Sequence, residues 1–223
     1  MIRVVIGAIL GLGAGRVAPA FGSLVTGIDA TLQARSAGRR RVRLEVAAVT
    51  VIFCAVFISM SVAIENWVLI VAGWVLAFGL LTASWIDVHT HRLPRNLSYV
   101  TFLAGVPLLV VAAITEDDMS HILNSMIGVM VATGLVGLLY LIGRGAMGTG
   151  DIRLAPVIGM YTGWISVGTV ALALITSFAF AAIFALALVI LRRANRRDEI
   201  PLGPFLACGT IAAFVYAAAN NGL

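Results

Sequence analysis

An aspartate stands between two long apolar stretches in the segment MGTGDIRL, residues 147–154. Asp151 follows Gly148 and Gly150, and Arg153 comes two residues later. A carboxylate at the edge of an apolar stretch is costly unless it is paired or used in chemistry. The two glycines would let a backbone approach closely and would permit dihedral angles that other residues resist. This segment therefore predicts a functional acid that acts together with a second acid.

Asp87 is the best candidate for that second acid. It is the first charged residue after the apolar stretch that begins at Trp67, as Asp151 precedes the stretch that begins at Leu154. Two carboxylates at matching depth on different helices can share one proton, because repulsion disfavours ionising both. Such a pair can activate a water molecule with one member and donate a proton with the other, as in aspartic proteases.

The elements that must position these acids are apolar helices. The chain of 223 residues is 61% hydrophobic and only 11% charged, whereas a soluble domain carries about 25% charged residues. Segments about as long as a bilayer is thick recur along it. Hydropathy predicts an all-α, polytopic transmembrane bundle forming one domain, residues 1–223. It has about eight spans, of which the sixth is short: 4–25, 44–63, 67–86, 97–114, 122–143, 154–166, 168–191 and 201–220.

The sixth and seventh of these spans are divided only by length, near Gly163 and Gly168, since no charge separates them.

At the other end of the chain, three glycines repeat every four residues in the first span, and this spacing predicts one closely packed helix face. They are Gly7, Gly11 and Gly15.

Charge alternates between the connecting segments. Segments 26–43, 87–96, 144–153 and 192–199 are rich in arginine, whereas the other two charged connections are acidic. By the positive-inside rule the arginine-rich segments are cytosolic and both termini lie outside. This topology places Asp87 and Asp151 on the cytosolic side and four acids on the other: Glu65, Glu116, Asp117 and Asp118. It also accounts for the net charge of +5 without a nucleic-acid partner.

Two other functions remain open from the residues alone. The segment DVHTH offers Asp87, His89 and His91 as ligands for a metal-dependent hydrolase. Asp87 and Asp151 could instead be the proton or cation sites of a transporter, although such acids usually lie near the middle of the bilayer.

Three ordered motifs resemble those of the prepilin peptidases, intramembrane aspartic proteases that process type IV prepilins. GTGDIRL is similar to the family's GxGD-x-(K/R)-L signature. DVHTHRLPRN resembles its Asp-x5-Ile-Pro-Asn segment through Asp87, Leu93 and Pro94, although Arg95 stands in place of the asparagine. EIPLGPFLACG resembles the stretch IPFGPFLALG before the family's last helix. The resemblance extends from about residue 40 to 215.

The resemblance implies a peptidase of the bacterial inner membrane with Asp87 and Asp151 as its catalytic residues. Gly148, Gly150, Arg153 and Pro94 would be supporting motif residues. The substrate would be a prepilin or pseudopilin within the lipid bilayer, and no metal or cofactor would be needed. Bifunctional members carry a cysteine-rich insert in the first cytosolic loop. That loop is short here and contains no cysteine, which implies a compact form without N-methyltransferase activity.

Overall fold

The computed structural model describes residues 1–26, 39–90, 95–143, 148–191 and 201–221. Within these ranges the chain is helical and contains no strand. In chain order the helices are α1 (Ile2–Thr26), α2 (Arg39–Ala63), α3 (Trp67–Thr90), α4 (Arg95–Thr115), α5 (Ser120–Ile142), α6 (Thr149–Ile165), α7 (Val167–Ile190) and α8 (Gly203–Asn221). The predicted all-α fold is confirmed, and each predicted span overlaps one helix.

Six helices in the described part of the chain are long and apolar enough to cross a membrane. They are α2 from Glu45 onwards, α3, α4, α5, α7 and α8. Helix α6 has 17 residues and is therefore about 26 Å long at 1.5 Å per residue. From Leu154 to Ile165 every residue except Pro156 is buried. The short helix thus lies inside the bundle, surrounded by its longer neighbours.

Several helix ends differ from the hydropathy prediction. Helix α3 continues to Thr90 instead of ending at 86, and α6 begins at Thr149 instead of 154. Asp87 and Asp151 are therefore helical residues and do not lie in connecting segments. Hydropathy places a boundary at the first charge, whereas backbone hydrogen bonding continues through charged residues that pack against neighbouring helices.

The break between the sixth and seventh predicted spans occurs at Ser166. Its backbone is extended, with φ −168° and ψ 159°, and its side chain accepts a hydrogen bond from the amide of Thr169. This N-cap starts α7. Gly163 and Gly168, on which the predicted division relied, both lie within helices.

Glycines bring two antiparallel helix pairs into close contact. The predicted glycine face of α1 packs on α2, where a Cβ atom at Gly11 would lie 2.7 Å from the Cα atom of Cys54. In α5, Gly128 lies directly against the backbone of Gly159 and Gly163 in α6. Small residues at such contacts let membrane helices gain packing energy along their whole length.

Hydrogen bonds fix α6 against α4 as well. The Tyr161 hydroxyl donates to the Thr101 carbonyl oxygen at 3.1 Å, and the Trp164 indole N–H donates to the Leu109 carbonyl oxygen at 3.2 Å. All four residues are buried, so each bond satisfies a polar group that has no access to water. Helix α6, with Asp151 in its first turn, is thereby held in one position.

Candidate active site

The structure brings Asp87 and Asp151 to the same end of the bundle. Asp87 lies in the last turn of α3 and is 6% exposed, and Asp151 lies in the first turn of α6 and is 5% exposed. Burial, followed by the negative charge of Asp87, raises the pKa of Asp151 to about 7, whereas a backbone hydrogen bond at Gly148 acts in the opposite direction. The two carboxylates are therefore close enough for the charge of Asp87 to raise the pKa of Asp151.

Gly203, at the start of α8, contacts Asp87 directly. Its backbone N–H donates to Asp87 Oδ2 at 2.9 Å, and its carbonyl oxygen accepts a hydrogen bond from Ser84 Oγ at 3.1 Å. Gly203 lies in the EIPLGPF motif, but the motif alone predicts no role for it. The Gly-Pro pair at a helix start was the available signal, since glycine admits close contact and proline favours the first helical turn.

The residues of the GxGD segment lie at the start of α6. Gly148 is the N-cap of α6 with φ −65° and ψ 140°, a conformation open to any residue, so the expectation of unusual dihedral angles is wrong there. A Cβ atom at Gly148 would lie 3.3 Å from Asp151 Oδ2, so glycine leaves room beside the carboxylate. Gly150 lies in the first turn of α6, and Arg153 is half-buried. Pro94 lies outside the described residues.

The geometry does not favour the metal site considered for DVHTH. His89 is exposed, and its Nδ1 lies 2.8 Å from the Trp85 carbonyl oxygen in the preceding turn. Asp87 is buried, and residues two apart on a helix do not face each other. In the described part of the chain, no group of three or more His, Cys, Asp or Glu residues could hold a metal ion. His91 lies outside that part.

The acidic connection between α4 and α5 lies at the opposite end of the bundle. Glu116 Oε2 and Asp118 Oδ2 are 3.6 and 3.7 Å from His121 Nε2. The other ring nitrogen, Nδ1, lies 2.7 Å from the carbonyl oxygen of Trp164 near the end of α6. Trp164 is thirteen residues beyond Asp151, or about 20 Å along the helix. These acids are thus remote from the aspartate pair, as the charge pattern predicted.

Together these features define a class of protein: a polytopic helical membrane protein with two buried aspartates at one end of its bundle. The sequence signature of the type IV leader peptidase family matches residues 74–190, just over half of the chain and both aspartates. The chain belongs to this family of peptidases. The EIPLGPF motif with Gly203 lies beyond the matched residues.

Curated relatives are also named as leader peptidases. The chain is 28% identical over 137 residues to a "Prepilin leader peptidase/N-methyltransferase" of Aeromonas salmonicida (strain A449), covering 61% of this chain and 46% of that protein. It is 25% identical over 167 residues to a protein of the same name from Bacillus subtilis (strain 168), covering 74% and 62%. The chain thus spans about half to three fifths of the length of these relatives. No solved structure gives a significant match.

The raised pKa of Asp151 predicts that this residue lowers stability at neutral and higher pH. When a carboxyl binds its proton more tightly in the folded than in the unfolded state, the folded protein becomes less stable as the carboxyl ionises. For Asp151 this loss occurs as pH rises from about 4 to about 7. We expect purified Asp151→Asn protein in detergent to unfold at a higher temperature than wild type at pH 8. This difference should shrink towards pH 4.5.

Asp118→Asn is the matched control for this measurement, because hydrogen bonds from Ser120 lower the pKa of Asp118. Its contribution to stability is present above the unfolded pKa and is lost as pH falls, so the variant should be no more stable than wild type at pH 8. Equal melting temperatures of wild type and Asp151→Asn across this pH range would contradict the raised pKa of the buried Asp151 carboxyl.

Proposed function

We propose that this protein is an intramembrane aspartic endopeptidase that removes the basic leader from type IV prepilin-like substrates. The observation that carries the proposal is the presence of two buried carboxylates, Asp87 and Asp151, at one end of the bundle and within the region that matches the leader peptidase family. The printed names of the curated relatives support prepilins as the substrate class.

The proposed reaction needs only water and the two aspartates. The ionised aspartate takes a proton from a water molecule while the water oxygen attacks the scissile carbonyl carbon. The protonated aspartate donates its proton to the developing oxyanion. As the tetrahedral intermediate collapses and the C–N bond breaks, the aspartate that protonated the oxyanion takes that proton back, and the departing amine leaves with the proton first removed from water. Each turnover consumes one water molecule and returns the pair to its starting state.

The position of the pair suits a substrate cut at the membrane surface. In sequence, the arginine-rich segments adjoin the helix ends on this side of the bundle, and by the positive-inside rule this side faces the cytosol of a bacterial inner membrane. A prepilin has a basic leader followed by an apolar helix, so its scissile bond would lie near that interface. A transporter fits less well, because its acids would lie near the bilayer midplane and not at one edge.

The direct test is cleavage by purified protein in liposomes. The substrate is a prepilin-like protein whose basic leader ends in glycine before the apolar segment, and intact mass spectrometry follows the product. We expect loss of the leader at a single bond, unaffected by EDTA. An uncut substrate would contradict the proposed activity, and EDTA-sensitive cleavage restored by zinc would support the metal-dependent alternative.

The same mass spectra test the expected product chemistry. Because the first arginine-rich loop contains no cysteine, we predict that the mature product keeps a free N-terminal amine even when S-adenosylmethionine is supplied. A mass increase of one methyl group that depends on S-adenosylmethionine would show that this protein methylates without such an insert. It would leave the peptidase proposal intact.

A further inference from the structure

The position of Asp87 within its own helix disfavours a negative charge. It lies in the last turn of α3, where the free carbonyl groups of a helix end carry partial negative charge. It is also buried, so water can compensate little of this effect. An ionised carboxylate at this position requires a donor from another element.

The first turn of α8 supplies that donor. The Gly203 N–H donates to Asp87 Oδ2 at 2.9 Å, and the N-terminus of a helix favours a neighbouring negative charge. Only glycine permits this approach, because a Cβ atom there would lie 2.7 Å from Asp87 Oδ2 and 3.1 Å from Asp87 Cβ. Helix α8 itself carries no acidic or basic side chain.

Ser84 hydrogen-bonds to the carbonyl group of the same glycine. Its hydroxyl lies 2.7 Å from the Leu80 carbonyl oxygen of its own helix and 3.1 Å from the Gly203 carbonyl oxygen. Ser84 is three residues before Asp87 and therefore lies on the same face of α3. One helix face thus contacts both backbone groups of Gly203, with Ser84 at the carbonyl and Asp87 at the amide.

We propose that Ser84 and Gly203 are positioning residues that keep Asp87 ionised as the water-activating base and leave the shared proton on Asp151. This inference rests on the proposed peptidase function for its catalytic meaning. The raised pKa of Asp151 agrees with the division of roles. Among the side chains whose burial the structure describes near this end, the other charged or titratable ones of α2, α3, α4 and α6 are Glu45, His89, Arg95 and Tyr99, which are exposed, and Arg153, which is half-buried.

The test compares Ser84→Ala with Ser177→Ala. Ser177 in α7 makes an equivalent pair of contacts, to the Ala173 carbonyl oxygen at 2.6 Å and to the Leu206 carbonyl oxygen of α8 at 3.4 Å. Both changes therefore remove a buried hydroxyl that bridges to α8. We expect Ser84→Ala alone to lower kcat/KM by about tenfold, the loss of one hydrogen bond, and to move the acidic limb of the kcat/KM profile to higher pH.

A titration that is independent of catalysis separates this inference from the proposed function. In an Asp151→Asn background, infrared spectroscopy follows protonation of Asp87, identified by loss of its carboxyl band on Asp87→Asn. Ser84→Ala should shift that titration to higher pH, and Ser177→Ala should not. No shift, or equal shifts in both variants, would overturn the positioning role. If Ser84→Ala shifts the titration of Asp87 but the wild-type protein does not cleave prepilin, the peptidase function is refuted and the positioning contact is supported.

Discussion

Gly128→Val and Gly159→Val are each expected to prevent formation of the folded bundle. A Cβ atom at Gly128 would overlap the Gly159 carbonyl oxygen and lie 2.8 Å from Gly163 Cα. A Cβ atom at Gly159 would overlap the Gly128 carbonyl oxygen and lie 2.6 Å from its carbonyl carbon. These neighbours are backbone atoms of two long helices, so no side-chain rotation can relieve the overlap.

These valine substitutions are also expected to displace the aspartate pair, because α5 packs against α6 and holds it in position. Any separation of the two helices moves the first turn of α6, where Asp151 lies. A displacement of about 1 Å can cost a hundredfold in rate when reacting groups must be aligned. Even a valine variant that still inserts into the membrane should therefore lose nearly all processing.

Gly137→Val in α5 is the matched control, because a Cβ atom there would have no atom within 4 Å. It makes the same chemical change in the same helix at a position where an added Cβ atom meets no neighbour. Size-exclusion chromatography and thermal unfolding in detergent, with prepilin processing in cells, distinguish the three variants. Normal folding and activity of Gly128→Val would show that α5 and α6 do not pack through these glycines.

Much of this architecture could be predicted from the order of residues. Apolar length predicts the approximate positions of the eight helices in the described residues, and glycines at a spacing of four identify the face of α1 that packs on α2. Charge at the boundaries placed Asp87 and Asp151 at one end and the acids near His121 at the other. These features depend on local composition and spacing, which can be read directly from the sequence.

The remaining features depend on contacts between distant segments. The amide of Gly203 reaches Asp87 across 116 residues of sequence, and no local pattern indicates that distance. The packing of Gly128 on Gly159 cannot be predicted from glycine positions alone, because glycines also occur at positions such as Gly134, where an added Cβ atom would have no atom within 4 Å. The helix starts were misplaced for a related reason, since tertiary burial lets α6 begin before its apolar stretch.

Asp87→Asn and Asp151→Asn should each abolish leader removal while leaving the protein folded. Asparagine keeps the shape of aspartate but can act neither as the base that accepts a proton from water nor as the matching acid. Loss of one general acid or base costs roughly 10²–10⁴-fold. Because the two groups act on one proton, the double variant should be little worse than either single variant.

Asp118→Asn is the control for these variants, since it also replaces one carboxylate but lies at the opposite end of the bundle, beside His121. It should process prepilin at the wild-type rate. An equal loss in this variant would point to a general effect of removing negative charge and not to the aspartate pair.

The most direct test of the central claim is the rate at which purified protein in liposomes releases the leader from prepilin. This rate is measured for wild type and for the two single asparagine variants at matched folded concentration. The proposed pair predicts rapid release by wild type and less than about one hundredth of that rate for each variant. Release by either Asp87→Asn or Asp151→Asn at more than a tenth of the wild-type rate would contradict it.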